Sequence, residues 1–528
     1  MRTRLVRAFA SFAPFALVAG AAAAAGCNAL LDASKYHVGE DAGASPACTK
    51  NEDCRSTHGD DGICPASTHR CAHLRSAECS RVVGDATSDD AVIIGSLFPF
   101  EQTSGAPIEN GVEVALEDFR SIGLPPVPGK TQRRPLVLVA CNDQADGPTA
   151  VRAAQHLIDD VGVPAIIGSG FSNITLQVAT QVTIPKNVLL VSPSSTSPSL
   201  THLADNGLVW RTCPSDLIQA DAHVALMPFI ERDTKAATGA DRIKVAVLHK
   251  GDPYGRGLAE ALSPNLVFNG AKAQDQVDTG FYLRRDYGDP QDAAAQPDYP
   301  ATVRDIVAFE PHVIFLYGTT ETVEPLIAQT EATWHTSLGY RPFYVMADGS
   351  AVPELSTYLA SVPDETRTRM LGTKPGTVGP NFEAFKSTYL SRVHDGTSPA
   401  ATWAVNAYDA LYSVAFSMVA VGANPLRGPN IAHGFERLLS GPHISPGSSN
   451  INAAFDRLLS GASFDYDGAS GPLDFDVATG EAPSDILLWC MQRDAGSPTE
   501  PRITSVYYSA ADHQLVGGLP EIRAFCGF

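Results

Sequence analysis

The stretch Val92-Ile93-Ile94-Gly95-Ser96-Leu97 and the segment that follows it, residues 108–122, decide the fold class of this chain. The first is a continuous aliphatic run, which is typical of a strand buried on both faces of a parallel sheet. In the second, apolar residues recur at helical spacing and acidic residues occupy the opposite face. Together they predict a strand–helix unit that opens an α/β domain.

Similar pairs of an aliphatic run and an amphipathic segment recur along most of the chain. The predicted strands are residues 135–140, 164–168, 188–192, 243–248, 312–316, 343–347, 486–490 and 503–508. The predicted helices are residues 148–161, 174–182, 216–229, 255–269, 302–309, 322–333, 401–420 and 451–459. Because the pattern restarts after Trp210-Arg211-Thr212, it predicts two doubly wound, Rossmann-like lobes joined by a hinge, with a ligand cleft between them.

Changes of pattern and composition divide the chain into segments. The expected segments are a signal peptide (1–26), a Cys-rich stalk (27–90), the first lobe (91–213), the second lobe (214–371), a return to the first lobe (372–460), and a return to the second lobe with the C-terminal tail (461–528). The chain is expected to cross between the lobes near residues 212–214, 370–373 and 459–463.

The N-terminal residues have the features of an export signal. Three arginines precede an alanine-rich apolar stretch, residues 8–25. The sequence Ala24-Ala25-Gly26-Cys27 resembles a bacterial lipobox, in which Cys27 would be acylated and become the mature N-terminus. Ordinary cleavage after an Ala-x-Ala site and an uncleaved anchor are the alternatives. Asn28 leaves the choice between inner and outer membrane open.

Residues 28–90 contain five cysteines among polar residues and have almost no aliphatic periodicity. The cysteines are Cys48, Cys54, Cys64, Cys71 and Cys79. A segment with so little apolar content needs covalent cross-links if it is ordered. Histidines between the cysteines make zinc an alternative, but no C-x₂-C pair occurs, and export favours disulfides. Because five is odd, one cysteine is expected to reach the globular body or to stay free.

Four further cysteines are candidates for disulfides. Cys490 ends a predicted strand and Cys526 lies near the C-terminus, so a bridge between them would tie down the tail. Cys141 and Cys213 each follow a strand, and they could pair with each other or with the odd cysteine of the stalk.

Composition excludes several classes of protein. The 528 residues carry 38 Lys and Arg against 58 Asp and Glu, a formal charge of −20, whereas a nucleic-acid binder usually has a basic face. No apolar run after residue 26 approaches the roughly 20 residues that span a bilayer. The sequence therefore predicts neither a nucleic-acid partner nor a polytopic membrane protein.

A series of motifs in order resembles the leucine/isoleucine/valine-binding family of type I periplasmic binding proteins. They are residues 94–100, 108–115, 150–154, 163–168, 190–198, 210–212, 252–257 and 471–475, so the resemblance covers roughly residues 91–480. It implies a solute-binding protein that closes around a small molecule, an amino acid or a related amide, and delivers it to an ABC permease in the inner membrane. It also implies a lipid-anchored, periplasm-facing protein of the cell envelope without a cofactor.

Three candidate ligand contacts lie in the first lobe. Ser172 stands where a strand ends and a helix begins, a place where free backbone N–H groups favour an anion. Ser194 and Thr196 follow the next strand at the same edge of the sheet. The resemblance implies that all three hold an α-carboxylate. The alternatives are a helix N-cap for Ser172 and an ordinary polar turn for the other two.

Four candidates concern the second lobe and the hinge. The resemblance implies that Tyr254 packs over the ligand and that Asp348 and Asp216 lie near its ammonium group. A surface aromatic and an N-cap are the alternatives for Tyr254 and Asp216, and Asp348 is one methylene shorter than the family's glutamate. Thr319 stands where relatives have a second aromatic residue, and its small side chain would open or polarise one wall.

Catalysis is not expected. The chain contains no G-x-S-x-G elbow, H-E-x-x-H helix or Walker A loop, and its histidines lack metal-ligand spacing. The competing function is a ligand-sensing or interaction protein on the same scaffold, with a sensor or cell-wall machinery as its partner. Convergence of Ser172, Thr196 and Asp348 on one cleft would favour ligand binding.

Overall fold

The computed structural model describes residues 45–376, 379–398, 403–490 and 502–518, together with Ile522 and Cys526. The predicted signal peptide and Cys27 lie outside the described residues. The described chain forms two α/β lobes, each built on one sheet, and this confirms the predicted fold class.

Six strands form the sheet of the first lobe. They are β1 (Arg81–Val83), β2 (Val92–Phe98), β3 (Leu136–Asn142), β4 (Ala165–Gly168), β5 (Leu189–Ser192) and β6 (Val209–Arg211). Their order in the sheet is β1-β3-β2-β4-β5-β6, and every pair is parallel except β1 with β3. The connecting helices are α1 (Ala106–Arg120), α2 (Gly147–Gln155) and α3 (Ser172–Val178).

Eight strands form the sheet of the second lobe. They are β7 (Val245–His249), β8 (Tyr282–Asp286), β9 (Val313–Tyr317), β10 (Phe343–Met346), β11 (Met370–Pro375), β12 (Ile486–Cys490), β13 (Arg502–Ser509) and β14 (Gln514–Val516). The order is β8-β7-β9-β10-β11-β12-β13-β14, with parallel pairing up to β11 and antiparallel pairing beyond it. The main helices here are α4 (Asp216–Thr238), α5 (Pro253–Leu262) and α6 (Tyr299–Phe309).

Three more helices return to the first lobe: α7 (Pro380–Arg392), α8 (Ala404–Ala420) and α9 (Ser448–Leu459). Helix α8 is buried along almost its whole length and packs against α1. The two backbones approach so closely at Gly111 that a Cβ there would lie 2.1 Å from the carbonyl oxygen of Ala404. Glycine at this position therefore sets the distance between the two helices.

Shorter elements complete the described chain. The short helices are Asn51–His58, Ile184–Lys186, Pro198–Thr201, Gln329–Thr333, Pro353–Ser361, Asp364–Arg367 and Gly428–Gly434. The two-residue strands pair as Gly62–Ile63 with Ala72–His73, Val267–Phe268 with Ala271–Lys272, and His443–Ile444 with Asp465–Tyr466. No helix among the described residues combines the length and the apolar character needed to cross a membrane.

The described part of the chain passes between the lobes three times. The first crossing joins β6 to α4 and lies where the sequence predicts it, whereas the second follows Pro375, a few residues later than predicted. The third lies between Ala482 and Ile486, not at residues 459–463. The first lobe keeps this part of the chain because Phe464, Tyr466, Leu473 and Phe475 are buried in its core.

The described part of the Cys-rich segment is disulfide-bonded and packs on the first lobe. Two bridges lie within it, Cys48–Cys64 and Cys54–Cys71, and a third joins Cys79 to Cys141 at the end of β3. Ile63 and Leu74 belong to the same apolar cluster as residues of α2. The segment also supplies the edge strand β1, so it extends the first lobe's sheet.

The other cysteines divide between one bridge and one free thiol. The structure joins Cys490 to Cys526. The suggested Cys141–Cys213 pair is wrong, because Cys141 is bonded to Cys79 and Cys213 is a buried free cysteine. The Sγ of Cys213 lies 3.6 Å from the carbonyl oxygen of Ser195. The alternative pairing, with the odd cysteine of the N-terminal segment, is the one that occurs.

Candidate ligand-binding cleft

A cavity of about 490 Å³ lies between the lobes, at the carboxyl ends of the strands in both sheets. Six of the seven predicted ligand contacts line it: Ser172, Ser194, Thr196, Tyr254, Thr319 and Asp348. The seventh, Asp216, is fully buried and contacts Thr196, whose carbonyl oxygen accepts its N–H at 2.8 Å. The sequence therefore identified residues that the fold gathers at one place.

A larger surface groove of about 820 Å³ lies between α6 and the segment 323–333 of the second lobe. None of the predicted site residues lines it. The cleft between the lobes is therefore the better candidate.

The first-lobe wall of the cleft is rich in hydroxyl groups and backbone N–H groups. Ser172 is the first residue of α3 and not its N-cap; its Oγ accepts a hydrogen bond from the N–H of Ser197 at 3.2 Å. The Oγ of Ser194 donates to the carbonyl of Gly170 at 2.9 Å. In the first turn of α3 the N–H of Ile174 donates to Asn173 Oδ1 at 2.9 Å, and the helix dipole gives this end a partial positive charge, so the wall suits an anionic group.

Arg211 fixes the loop that carries these hydroxyl groups. Its guanidinium donates to the carbonyl oxygens of Ser195 and Ser197 at 3.0 and 2.9 Å, and to Thr201 Oγ1 at 2.7 Å. It also forms an ion pair with Glu481 of the returning chain. The side chain is buried, and its donors have carbonyl and carboxylate partners. Arg211 therefore positions the loop and does not itself line the cavity.

Tyr254 holds the acidic residue of the second lobe in place. It is the second residue of α5, which Asp252 caps by accepting the N–H of Gly255 at 2.8 Å. The Tyr254 hydroxyl donates to Asp348 Oδ1 at 3.0 Å and accepts the N–H of Gly349 at 3.0 Å. Tyr254 is only 7% exposed, so it is no ordinary surface aromatic.

Asp216 and Asp348 form an acidic pair at the hinge side of the cleft. Asp216 follows the N-cap Ser215, so it is not the cap itself, and both of its carboxylate oxygens lack a hydrogen-bond partner among the described residues. Burial, and then the charge of Asp348, raise the pKa of Asp216 well above its ordinary value. Burial raises the pKa of Asp348 to about 6. A cationic ligand group beside Asp348 would relieve this cost.

The second-lobe wall near Thr319 is polar. Thr319 donates through its N–H to Glu321 Oε1 at 2.9 Å and through its hydroxyl to Glu321 Oε2 at 2.5 Å. Lys250, at the end of β7, also lines the cavity and lies between Asp252 and Asp289, with Nζ–oxygen distances of 3.1 and 3.4 Å. Where relatives would have an aromatic residue, this chain has charged groups behind a small threonine.

Sequence reasoning missed Lys250 and Glu321. Both lie at the carboxyl ends of parallel strands, one directly after β7 and one four residues after β9. The rule that open α/β sheets bind ligands at this edge would have found them. Neither residue stands at a position to which the resemblance assigns a role.

The lobes contact each other on one side of the cleft. The Oγ of Ser197 donates to the carbonyl of Pro253 at 2.7 Å. Gln291 accepts from Asn173 Nδ2 at 3.3 Å and donates to the carbonyl of Ala145 at 3.3 Å. These contacts narrow the entrance, and they join residues from both lobes around one cavity.

Two α/β lobes, three crossings and a polar cleft define a two-lobed ligand-binding protein. The chain belongs to the periplasmic binding protein family, whose model matches residues 99–488. Proteins of this family bind solutes.

The relatives agree with the branch that the sequence motifs indicated. An amino acid binding protein of Pseudomonas aeruginosa is 26% identical over 269 residues, 50% of this chain and 63% of the relative. A Leu/Ile/Val-binding protein homolog of Brucella melitensis is 29% identical over 194 residues, 36% of this chain and 47% of the relative. The chain thus spans about half to two thirds of the length of these curated relatives.

Solved structures show the same fold. A leucine binding protein from Thermotoga maritima superposes with a TM-score of 0.57 at 19% identity, covering 80% of this chain and 100% of that one. A solute binding protein of an ABC transporter from Rhodopseudomonas palustris, in complex with 3,4-dihydroxybenzoic acid, gives 0.55 at 15% identity, with coverage of 80% and 98%. Proteins with this fold thus include one named for leucine binding and one solved with 3,4-dihydroxybenzoic acid.

Proposed function

We propose that the protein binds a small zwitterion, an amino acid or a related amide, and closes its lobes around it. The observation that supports this most is the position of Ser172 and Thr196 on one wall of the cavity and Asp348 on the other. A zwitterion needs donors for its carboxylate and an acid for its ammonium group. Because the two poles belong to different lobes, a ligand that contacts both stabilises the closed state.

The chemistry of the cleft favours an ammonium group over a neutral ligand group. Asp216 and Asp348 are both more costly to ionise than in water because protein surrounds them. An ammonium group beside Asp348 would favour its ionised form and donate hydrogen bonds to it. The ligand's ammonium group would thus pair with a carboxyl group that the fold has already removed from water.

We further propose that the loaded protein delivers its ligand to an ABC permease of the inner membrane and performs no catalysis. The export signal and the lipobox-like sequence before Cys27 support a lipid-anchored protein of the cell envelope that faces the periplasm. The fold supports delivery, because a two-lobed protein that closes presents a different surface when loaded.

The proposal predicts that Asp348→Asn weakens binding of an α-amino acid about 10- to 150-fold, because a hydrogen bond to a charged group contributes about 1.5–3 kcal/mol. Thr196→Ala should weaken the same ligand, and an uncharged amide should be much less sensitive to Asp348→Asn. A thermal-shift panel of amino acids, amides and urea would identify the ligand, and calorimetry would then measure affinity.

Asp275→Asn is the matched control, since Asp275 is exposed in the second lobe and does not line the cavity. If Asp348→Asn binds an amino acid as tightly as the parent, the ammonium assignment is wrong. Full affinity in both cleft variants would favour the alternative, an interaction protein on the same scaffold.

A further inference from the structure

Glu321 is a buried carboxyl group at the cavity wall. It is 8% exposed and lines the cleft. Its two oxygens accept hydrogen bonds from the N–H and hydroxyl of Thr319 and, at 2.7 Å, from the hydroxyl of Tyr287. Three hydrogen-bond donors therefore fix the position of this carboxyl group.

No lysine, arginine or histidine nitrogen lies within 4 Å of a Glu321 oxygen among the described residues. Lys250 is the basic residue of the cavity lining, and its ammonium group is within 4 Å of Asp252 and Asp289. Burial lowers the pKa of Lys250, but the charges of Asp252, Glu321 and Asp289 together raise it, so one ammonium group is shared among three carboxyl groups. Its Nζ also lies 3.4 Å from Gln291 Oε1, so three acceptors surround this ammonium group. The wall around Thr319 therefore carries more negative than positive charge.

The donors of this wall are already used. The N–H and hydroxyl of Thr319 point to Glu321, and the Tyr287 hydroxyl does the same. A ligand at this wall therefore meets a negatively charged hydrogen-bond acceptor, the Glu321 carboxylate. An aliphatic ligand side chain placed here would remove water from the Glu321 carboxylate and would offer it no hydrogen bond in return. Burying a charged group in this way is costly.

We propose that the ligand is an amino acid whose side chain carries a cationic nitrogen, as in lysine, ornithine or arginine, and that Glu321 is the residue that selects it. This inference rests on the proposed function, because it assumes that the α-ammonium and α-carboxylate groups occupy the poles at Asp348 and Ser172. Thr319 contributes by its size, since a small side chain leaves the space through which the ligand reaches Glu321.

The test compares ligands that differ in one charged group, using the unaltered protein and calorimetry. Lysine is paired with norleucine, and arginine with citrulline, while glycine reports the two poles alone. Lysine or arginine should bind about tenfold or more tightly than its neutral partner. Equal or tighter binding of norleucine and citrulline would overturn the inference.

Glu321→Gln identifies the residue responsible. It should reduce the advantage of lysine over norleucine to about threefold or less, while glycine keeps its affinity. Glu324→Gln is the matched control, because Glu324 is exposed in the same segment and does not line the cleft. An unchanged advantage in Glu321→Gln would reject Glu321 as the selecting residue. Thermal unfolding shows whether the Glu321→Gln variant is folded. If this variant is unstable, the comparison of the ligand pairs on the parent protein decides the inference.

Failure of the inference and failure of the proposed function give different results. If glycine binds but cationic side chains add nothing, only the inference falls. If neither glycine nor any member of the two pairs binds, the zwitterion site itself is refuted, and the inference falls with it.

Discussion

The side chain of Asp348 is one methylene shorter than the glutamate that the resemblance implies at this position. The Tyr254 hydroxyl reaches Asp348 Oδ1 at 3.0 Å and fixes the carboxyl at the cavity wall. The second acid, Asp216, stands behind Thr196 without a hydrogen-bond partner among the described residues for either oxygen.

The raised pKa of Asp348 predicts that ligand affinity depends on pH. Burial raises this pKa to about 6, and an ammonium group needs the ionised carboxylate. Below about pH 6 the ligand competes with a proton, so affinity should fall by up to about tenfold per pH unit, whereas it should be nearly constant above about pH 7. Calorimetry from about pH 5 to pH 8 measures this profile.

The stability of the ligand-free protein should respond to this carboxyl in the opposite direction. The folded state holds the proton more tightly than the unfolded chain, so the contribution of Asp348 to stability is complete below the ordinary pKa of 3.8 and is lost as pH rises through about 6. Asp348→Asn should flatten both profiles. A flat affinity profile in the parent protein would contradict the assignment.

Residue types at strand ends could be predicted from the sequence, and their partners could not. Ser194, Thr196 and Asp348 follow aliphatic runs, so the general rule for open sheets brings them to one edge. One ion pair of Lys250 is with Asp252, two residues later, and the other is with Asp289, which lies after β8. No local pattern links Lys250 to Asp289, although the strand-end rule places Lys250 and Glu321 at the cleft edge.

Among the elements, the central strands were the easiest to predict. Strands β3 and β5 are buried along their whole length, and the aliphatic runs mark them to within two residues. The edge strand β8, Tyr282–Asp286, was missed because its sequence contains two arginines and an aspartate. An edge strand is buried less completely, so its composition does not need to be apolar.

The helix predicted over residues 322–333 is interrupted. The structure has a wide, π-type turn at Val323–Ala328 followed by a short α-helix, Gln329–Thr333. Pro325 lies within the wide turn and has no N–H to donate. Helical periodicity remained visible in the sequence because the apolar side chains still face the core.

The Cys79–Cys141 bridge should matter more for stability than the bridges within the Cys-rich segment. It closes a loop with a sequence separation of 62, against 16 for Cys48–Cys64, and a longer loop restricts the unfolded chain more. The double variant Cys79→Ser with Cys141→Ser should lose about 2–5 kcal/mol of stability. Denaturant unfolding under non-reducing conditions measures the loss.

The double variant Cys48→Ser with Cys64→Ser is the control for this comparison. It removes a bridge from a region with a small core of its own, so its effect should be smaller. If the two double variants unfold at the same denaturant concentration, the longer loop and the link to β3 make no special contribution.

At the scale of the whole molecule, the hinge positions were the hardest to predict. The first crossing follows a break in the pattern and was predicted correctly. The third was placed too early because residues 464–475 have no regular periodicity, although four of their large side chains complete the core around α8. Irregular chain that packs against a distant helix leaves little trace in its local sequence.

Closure of the lobes depends on a close contact between α5 and the first lobe. A Cβ at Gly257 would lie 2.8 Å from Pro198 Cδ and 3.3 Å from Ser197 Oγ. Both partners belong to the loop that also carries Thr196, so the contact lies beside the cleft. A side chain at position 257 would therefore hold the lobes apart. The atoms that it would meet belong to the first lobe, so the second lobe alone could accommodate it.

Gly257→Ala should therefore separate stability from ligand affinity. Alanine is the better helix former by about 0.5–1 kcal/mol, so the ligand-free protein, whose lobes can open, should gain stability. The closed state must instead accommodate the methyl group against Pro198, and overpacking of this kind costs about 1–3 kcal/mol, or about 5- to 150-fold in affinity. Thermal unfolding and calorimetry measure the two effects, and small-angle scattering would show a more open form with ligand present.

The control is Glu260→Ala on the same helix, at a position that is exposed and lies away from the first lobe. It also introduces alanine into α5, so it shares any general effect on the helix and should leave affinity unchanged. Gly257→Leu should weaken binding further than Gly257→Ala, because a larger side chain must displace more of the Pro198 loop. If Gly257→Ala binds as tightly as the parent, ligand binding does not require the lobes to meet at this contact. The closed arrangement seen between Ser197 and Pro253 would then not be the ligand-holding state.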